Sequence, residues 1–200
     1  MKKILLSAIA VMAFGFANAQ EAATTGFSEG DVFITGSVGF GSEKTGDAKT
    51  NTFNFSPKAG YFVTSNIAVG VQLGFTSGKD TVETPAGDVE NKQTGLEVGA
   101  FGRYYFTPAR NLSFFGQLSV GYVSNKVEDE GEPEYKENGV NIGLAPGVSY
   151  FVSDHIAFEA TFGILGYNTL KPDVDGADST NTFNFGANFS DINFGMVYKF

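Results

Sequence analysis

Few residues in this chain could carry chemistry. There is no cysteine and a single histidine among 200 residues. That removes thiol nucleophiles, disulfides, cysteine zinc sites and any cluster of histidine ligands. His155 follows Ser153 and Asp154 between two apolar-patterned stretches, where a turn residue is expected rather than a general base. Glu97 and Glu159 could be read as a carboxylate pair, but they fall in different segments near cationic residues. Ion pairing is the stronger expectation for them. Asp129, Glu130, Glu132, Glu134 and Glu137 concentrate acid in one stretch. Their spacing fits no defined cation-binding loop, so a solvated acidic loop is expected. The glycines from Gly36 to Gly41 are followed by no phosphate-loop lysine. No catalytic, cofactor or metal site is therefore expected, and a net charge of -9 argues against nucleic acid as a partner.

The elements that must position these residues are strands. Ile67, Val69, Val71, Leu73 and Phe75 alternate with Ala68, Gly70, Gln72 and Gly74, a period of two. The same rhythm predicts strands over 31–41, 52–63, 67–77, 93–106, 112–124, 139–151, 156–167 and 182–200. Short connections (64–66, 107–111, 152–155) alternate with long ones (42–51, 78–92, 125–138, 168–181). Tight turns on one side and long polar loops on the other mark a membrane-spanning barrel. The expected fold is all-β, an eight-stranded antiparallel up-and-down transmembrane β-barrel.

The composition of the two faces separates this from a soluble barrel with an apolar interior. One face carries Val, Leu, Ile, Phe and Tyr, as lipid contact requires; the other is rich in Gly, Ala, Ser, Asn and Gln. Tyr61, Tyr104, Phe106, Tyr150, Tyr198 and Phe200 fall near the short-turn end, and Phe40, Phe53, Phe75 and Tyr122 near the other. These are two expected aromatic girdles. On the inward phase stand Lys58, Arg103, Lys199, Glu97, Glu159 and Asp191, three of each sign. They are expected to form a self-neutralising structural network in the lumen.

Residues 1–19 read as a secretory signal peptide. Met1-Lys2-Lys3 is basic, Ile4 to Phe16 is an apolar run of 13 residues, and Ala17-Asn18-Ala19 puts small residues at -3 and -1. The run is shorter than the ~20 residues of a spanning helix. Cleavage after Ala19 removes two lysines and takes the charge from -9 to -11. A short periplasmic segment, 20–30, and the barrel, 31–200, then follow.

The closing Ile192-Asn193-Phe194-Gly195-Met196-Val197-Tyr198-Lys199-Phe200 resembles the C-terminal strand read by the outer-membrane barrel assembly machinery. Phe194, Met196, Tyr198 and Phe200 carry that pattern. With Ser56-Pro57-Lys58-Ala59-Gly60-Tyr61-Phe62-Val63, the chain is similar to the small porin-like outer-membrane β-barrels of Gram-negative bacteria, the OmpA/OmpW-like group. The resemblance implies a place in the bacterial outer membrane, among its lipid and lipopolysaccharide, and a role in integrity, adhesion or solute passage. A non-enzymatic envelope protein with a side-chain-filled lumen is expected first, and a narrow channel for small or hydrophobic solutes second. One departure stands out. Phe183, Phe185, Ala187 and Phe189 have odd parity and Ile192 onward has even parity, so either a bulge lies near Ser190-Asp191, the favoured reading, or residues 182–189 form an extension above the membrane.

Overall fold

A computed structural model describes residues 25–46, 48–84, 87–129, 133–174, 176–186 and 192–200. Among the described residues there are ten strands: β1 (Val32–Thr45), β2 (Ala48–Phe62), β3 (Ile67–Thr84), β4 (Gly87–Tyr105), β5 (Leu112–Asp129), β6 (Tyr135–Phe151), β7 (Ile156–Phe162), β8 (Leu165–Pro172), β9 (Thr180–Phe185) and β10 (Ile192–Lys199). Each pairs antiparallel with its neighbours, and β1 with β10 closes the ring. β7 and β8 together form one stave of the wall, and β9 and β10 another. The barrel thus has eight staves.

The break in the seventh stave is a correction to the continuous span 156–167. β6 pairs with β7 at Gly147↔Thr161 and with β8 at Leu144↔Leu165. Three steps along β6 therefore face four along its partner, so one extra residue is bulged out at 163–164. The bulge lies across from Pro146, which cannot donate to the ladder. The ladder resumes where Ile164 donates to the Leu144 carbonyl at 3.0 Å. The side chains consequently change phase: Phe158 faces out before the break and Tyr167 after it. The eighth stave changes phase in step, with Phe183 and Phe185 outward in β9 and Phe194, Met196 and Tyr198 outward in β10. Ser190-Asp191, where the bulge in that stave is expected, lies outside the described residues.

The strands also run further than apolar alternation indicates. β3 and β4 pair continuously from Ile67↔Tyr104 to Thr84↔Gly87, so most of the loop expected at 78–92 is strand. β1 and β2 likewise continue to Thr45↔Ala48, turning at Gly46 with φ +61°. β5 and β6 extend to Val127↔Tyr135. Beyond the apolar band no greasy face is needed, and ladder hydrogen bonds between polar strands suffice.

Val38, Val71, Val98, Leu118 and Phe194 each expose more than half of their surface on the outer wall. A continuous apolar exterior of this kind belongs in lipid. Inside, the half near the short turns departs from the expected small, polar filling. Phe33, Phe62, Phe101, Tyr105, Phe115 and Phe151 all point inward there and are buried. The large rings fit because glycine stands beside them. Phe33 faces Gly60, Phe101 faces Gly70 and Phe115 faces Gly147 across adjacent strands. A Cβ on any of these glycines would run into its phenylalanine ring.

Candidate functional site

The centre of the lumen holds one buried ion pair. Arg103 projects inward from β4 and Glu159 from β7, and both are almost fully buried. Arg103 Nη1 donates to Glu159 Oε1 at 2.6 Å and Nη2 donates to Oε2 at 3.3 Å. Further donors and acceptors of the pair are filled as well. Arg103 Nε donates to Gln117 Oε1 at 2.8 Å, and Nη1 to the Tyr105 hydroxyl at 2.9 Å. Thr35 Oγ1 and Ser149 Oγ each donate to Glu159 at 2.9 Å. The guanidinium lies 4.4 Å from the Phe115 ring centroid and 5.2 Å from that of Phe101. A buried charge pair survives only when its hydrogen-bonding capacity is met in this way. β-sheet register brings it about: Arg103↔Gln117 and Ser149↔Glu159 are direct cross-strand partners.

Above the pair a cavity of about 350 Å³ opens, lined by Ser37, Lys58, Gln72, Glu97, Asn141 and Thr161 among others. Gln72 Nε2 donates to Glu97 Oε1 at 2.6 Å. Among the described residues its own Oε1 has no hydrogen-bond partner. Lys58 has no carboxylate within 4.0 Å among the described residues.

Below the pair, Phe27 closes the short-turn end. It is 1% exposed and packs on Phe33, Phe62, Tyr105 and Phe151, with ring centroids 4.7 to 5.6 Å apart. Its amide donates to the Pro108 carbonyl at 2.7 Å. Gly26, at φ +99°, allows this approach, because a Cβ there would sit 2.6 Å from Pro108 O. Lys199 Nζ donates to the Gly26 carbonyl at 2.7 Å and lies 3.7 Å from Asp31 Oδ2. So residues 25–31 form a floor tied to the last strand.

The six charged residues expected in one network are thus distributed. Arg103 and Glu159 are joined. Lys58 and Glu97 line the cavity above them. Lys199 sits apart in the floor, and Asp191 lies outside the described residues. Phe194, Met196 and Tyr198 face outward, and Phe200 bonds through its amide to the Val32 carbonyl at 3.0 Å. His155 lies in a turn, with Nδ1 2.8 Å from the Lys199 carbonyl oxygen and its ring stacked on Tyr198. Among the described residues no three carboxylates or histidines gather as a metal site. Sequence reasoning missed the hydroxyl and amide partners of the ion pair and the floor. Phe27 shows no periodicity that could have flagged it.

A model of the outer membrane protein β-barrel domain matches residues 6–200. The chain belongs to that family. The structure resembles the outer membrane protein OprG of Pseudomonas aeruginosa, with a TM-score of 0.55 and 16% identity over 88% of this chain and 99% of that one. Neisserial surface protein A is also similar, at a TM-score of 0.49 and 16% identity over 86% of this chain and 100% of that one. The outer membrane protein W of E. coli gives 0.40 and 15% over 90% and 100%. Against curated proteins the sequence has no match. The OprG likeness shows the fold, a small outer-membrane barrel, and the family places the chain in the bacterial outer membrane among its lipids.

Proposed function

We propose that this barrel is a non-enzymatic component of the envelope, structural or surface-interacting, whose lumen is closed by its own side chains. The observation that carries this reading is the pairing of Arg103 with Glu159 directly above an aromatic floor completed by Phe27. A filled, hydrogen-bonded cross-section leaves no water path wide enough for solutes. Lipopolysaccharide is the expected lateral neighbour of the exposed wall, and the assembly machinery is expected to read Phe194, Met196, Tyr198 and Phe200. Export is expected to cut the chain after Ala19, so N-terminal sequencing of the membrane form should begin at Gln20. In planar bilayers the protein should show no steady openings, and steady openings would overturn the closed-lumen reading.

A second reading, a narrow route for small or hydrophobic solutes, is favoured by the seam of the wall. Among the described residues β1 pairs with β10 from Phe33↔Lys199 to Gly36↔Met196 alone. The cavity reaches Phe194 and Gly195 at that seam. Uptake of a hydrophobic dye into vesicles carrying the protein, without ion current, would favour it.

A further inference from the structure

Seven of the nine lysines in residues 20–200 share one placement. Lys44, Lys49, Lys79, Lys92, Lys126, Lys136 and Lys171 all lie on the outward phase of their strands, set by exposed neighbours such as Val38, Phe55, Leu73, Val98 and Leu118. Each stands four residues beyond an exposed apolar residue of the same face, toward the long-loop end. Those apolar residues are, in the same order, Phe40, Phe53, Phe75, Leu96, Tyr122, Val140 and Tyr167. Four residues of tilted strand rise about 10 Å along the barrel axis. Lys79 is 12 residues from the start of β3 at Ile67, and Lys136 is 15 from the end of β6 at Phe151. The other five fall within the same range. That height is roughly 30–38 Å above the short turns, just past an apolar band ~25 Å tall.

From this we infer that the lysines form a collar that binds the phosphate groups of phosphorylated outer-leaflet lipids, as the apolar girdle below them holds the acyl chains. The inference rests on the reading that the long loops face outward from the outer membrane. Charge and position both fit. The outer leaflet of that membrane presents phosphates at the top of its hydrocarbon, and each lysine near an anionic lipid surface adds attraction. At the opposite end the outer face of the wall carries no lysine, since Lys199 turns inward to the floor, and the short turns hold Arg110 as their one lysine or arginine. Part of the collar is braced by carboxylates. Lys79 is 2.6 Å from Glu90, and Lys126 and Lys136 are each 2.6 Å from Glu134. Lys44, Lys49 and Lys171 have no carboxylate within 4.0 Å among the described residues. Beside Lys171 a groove of about 500 Å³, lined by Tyr122, Val140 and Thr169, opens on the outer wall.

The test uses the whole mature protein in phosphatidylcholine vesicles containing either bis-phosphorylated lipid A or the same lipid with its phosphates removed. Native mass spectrometry and fluorescent lipid exchange read the binding. The wild type should hold the phosphorylated lipid ~10-fold or more tightly than a Lys44→Gln, Lys49→Gln, Lys171→Gln triple variant. The corresponding arginine triple should retain binding, and Arg110→Gln should change nothing. Equal affinity of the glutamine triple, or equal retention of the dephosphorylated lipid, overturns the collar. Maleimide labelling in intact cells keeps the two failures apart, using single cysteines placed by Asp178→Cys in a long loop and Ser65→Cys in a short turn. Labelling at 178 alone upholds the orientation, so failed lipid arms then count against the collar only. Labelling at 65 alone overturns the orientation and the collar with it.

Discussion

At the residue scale the decisive object is Arg103 with Glu159. Replacing Arg103 by Met leaves a buried carboxylate facing only Thr35 and Ser149 hydroxyls, which should cost about 3–5 kcal/mol. The loss is read as a lower urea midpoint and a weaker heat-modifiable gel shift. Adding Glu159→Leu should restore most of it, because two apolar side chains of similar size leave no stranded charge. Glycine supplies a second residue-scale expectation. A Cβ at position 147 meets the Phe115 ring and, at 2.8 Å, Thr161 Cγ2. Gly147→Val should therefore destabilise by about 1–3 kcal/mol in the same assay. Gly116→Val, where nothing lies within 4 Å, should not. The charged members of the site were legible because inward parity selects them. Their partners were not. Parity says which face Gln117 or Ser149 occupies, whereas neighbourhood depends on register between strands far apart in sequence.

At the element scale, one bulge sets the outward face of the upper half of the seventh stave. Deleting Gly163 removes the extra residue and turns Leu165 and Tyr167 toward the lumen. The yield of folded, heat-modifiable barrel should collapse, while Gly163→Ala, with open space at that Cβ, should fold normally. The sequence revealed the phase change in the eighth stave because Phe183 and Phe185 break step with Phe194. It hid the one in the seventh, since Ile164 and Leu165 are both apolar and either phase reads as plausible. Strand ends above the membrane were illegible for a similar reason: polar residues there pair without alternating. The rim contacts of these extensions have a definite acid response. Hydrogen bonds from Lys126 and then Lys136 hold the Glu134 carboxyl below the ordinary glutamate range. Their contribution is present above that ordinary range and is lost as the pH falls through the lowered value. A carbon-detected NMR titration of Glu134 should show the lowered midpoint, and Lys126→Gln should move it back up.

For the whole molecule, the proposed closure would come from two barriers in series, the floor around Phe27 and the ion pair above it. Phe27→Ala alone should therefore leave bilayer conductance at baseline, and steady current should require Arg103→Ala as well. The barrel itself was legible from period two and from the sorting of greasy and polar faces. The floor was not, because it is built by a segment outside the strand pattern. That floor joins the two ends of the described chain, through the Lys199 amine on the Gly26 carbonyl. Tension applied through the residues ahead of Thr25 meets the Thr25–Asp154 and Lys199–Gly26 hydrogen bonds, the Phe27 contacts and the Gly30 amide on the Phe62 carbonyl before it unpairs any wall strand. Single-molecule pulling should record a small early rupture, with the staves still intact, and Lys199→Met should lower the force at which it occurs.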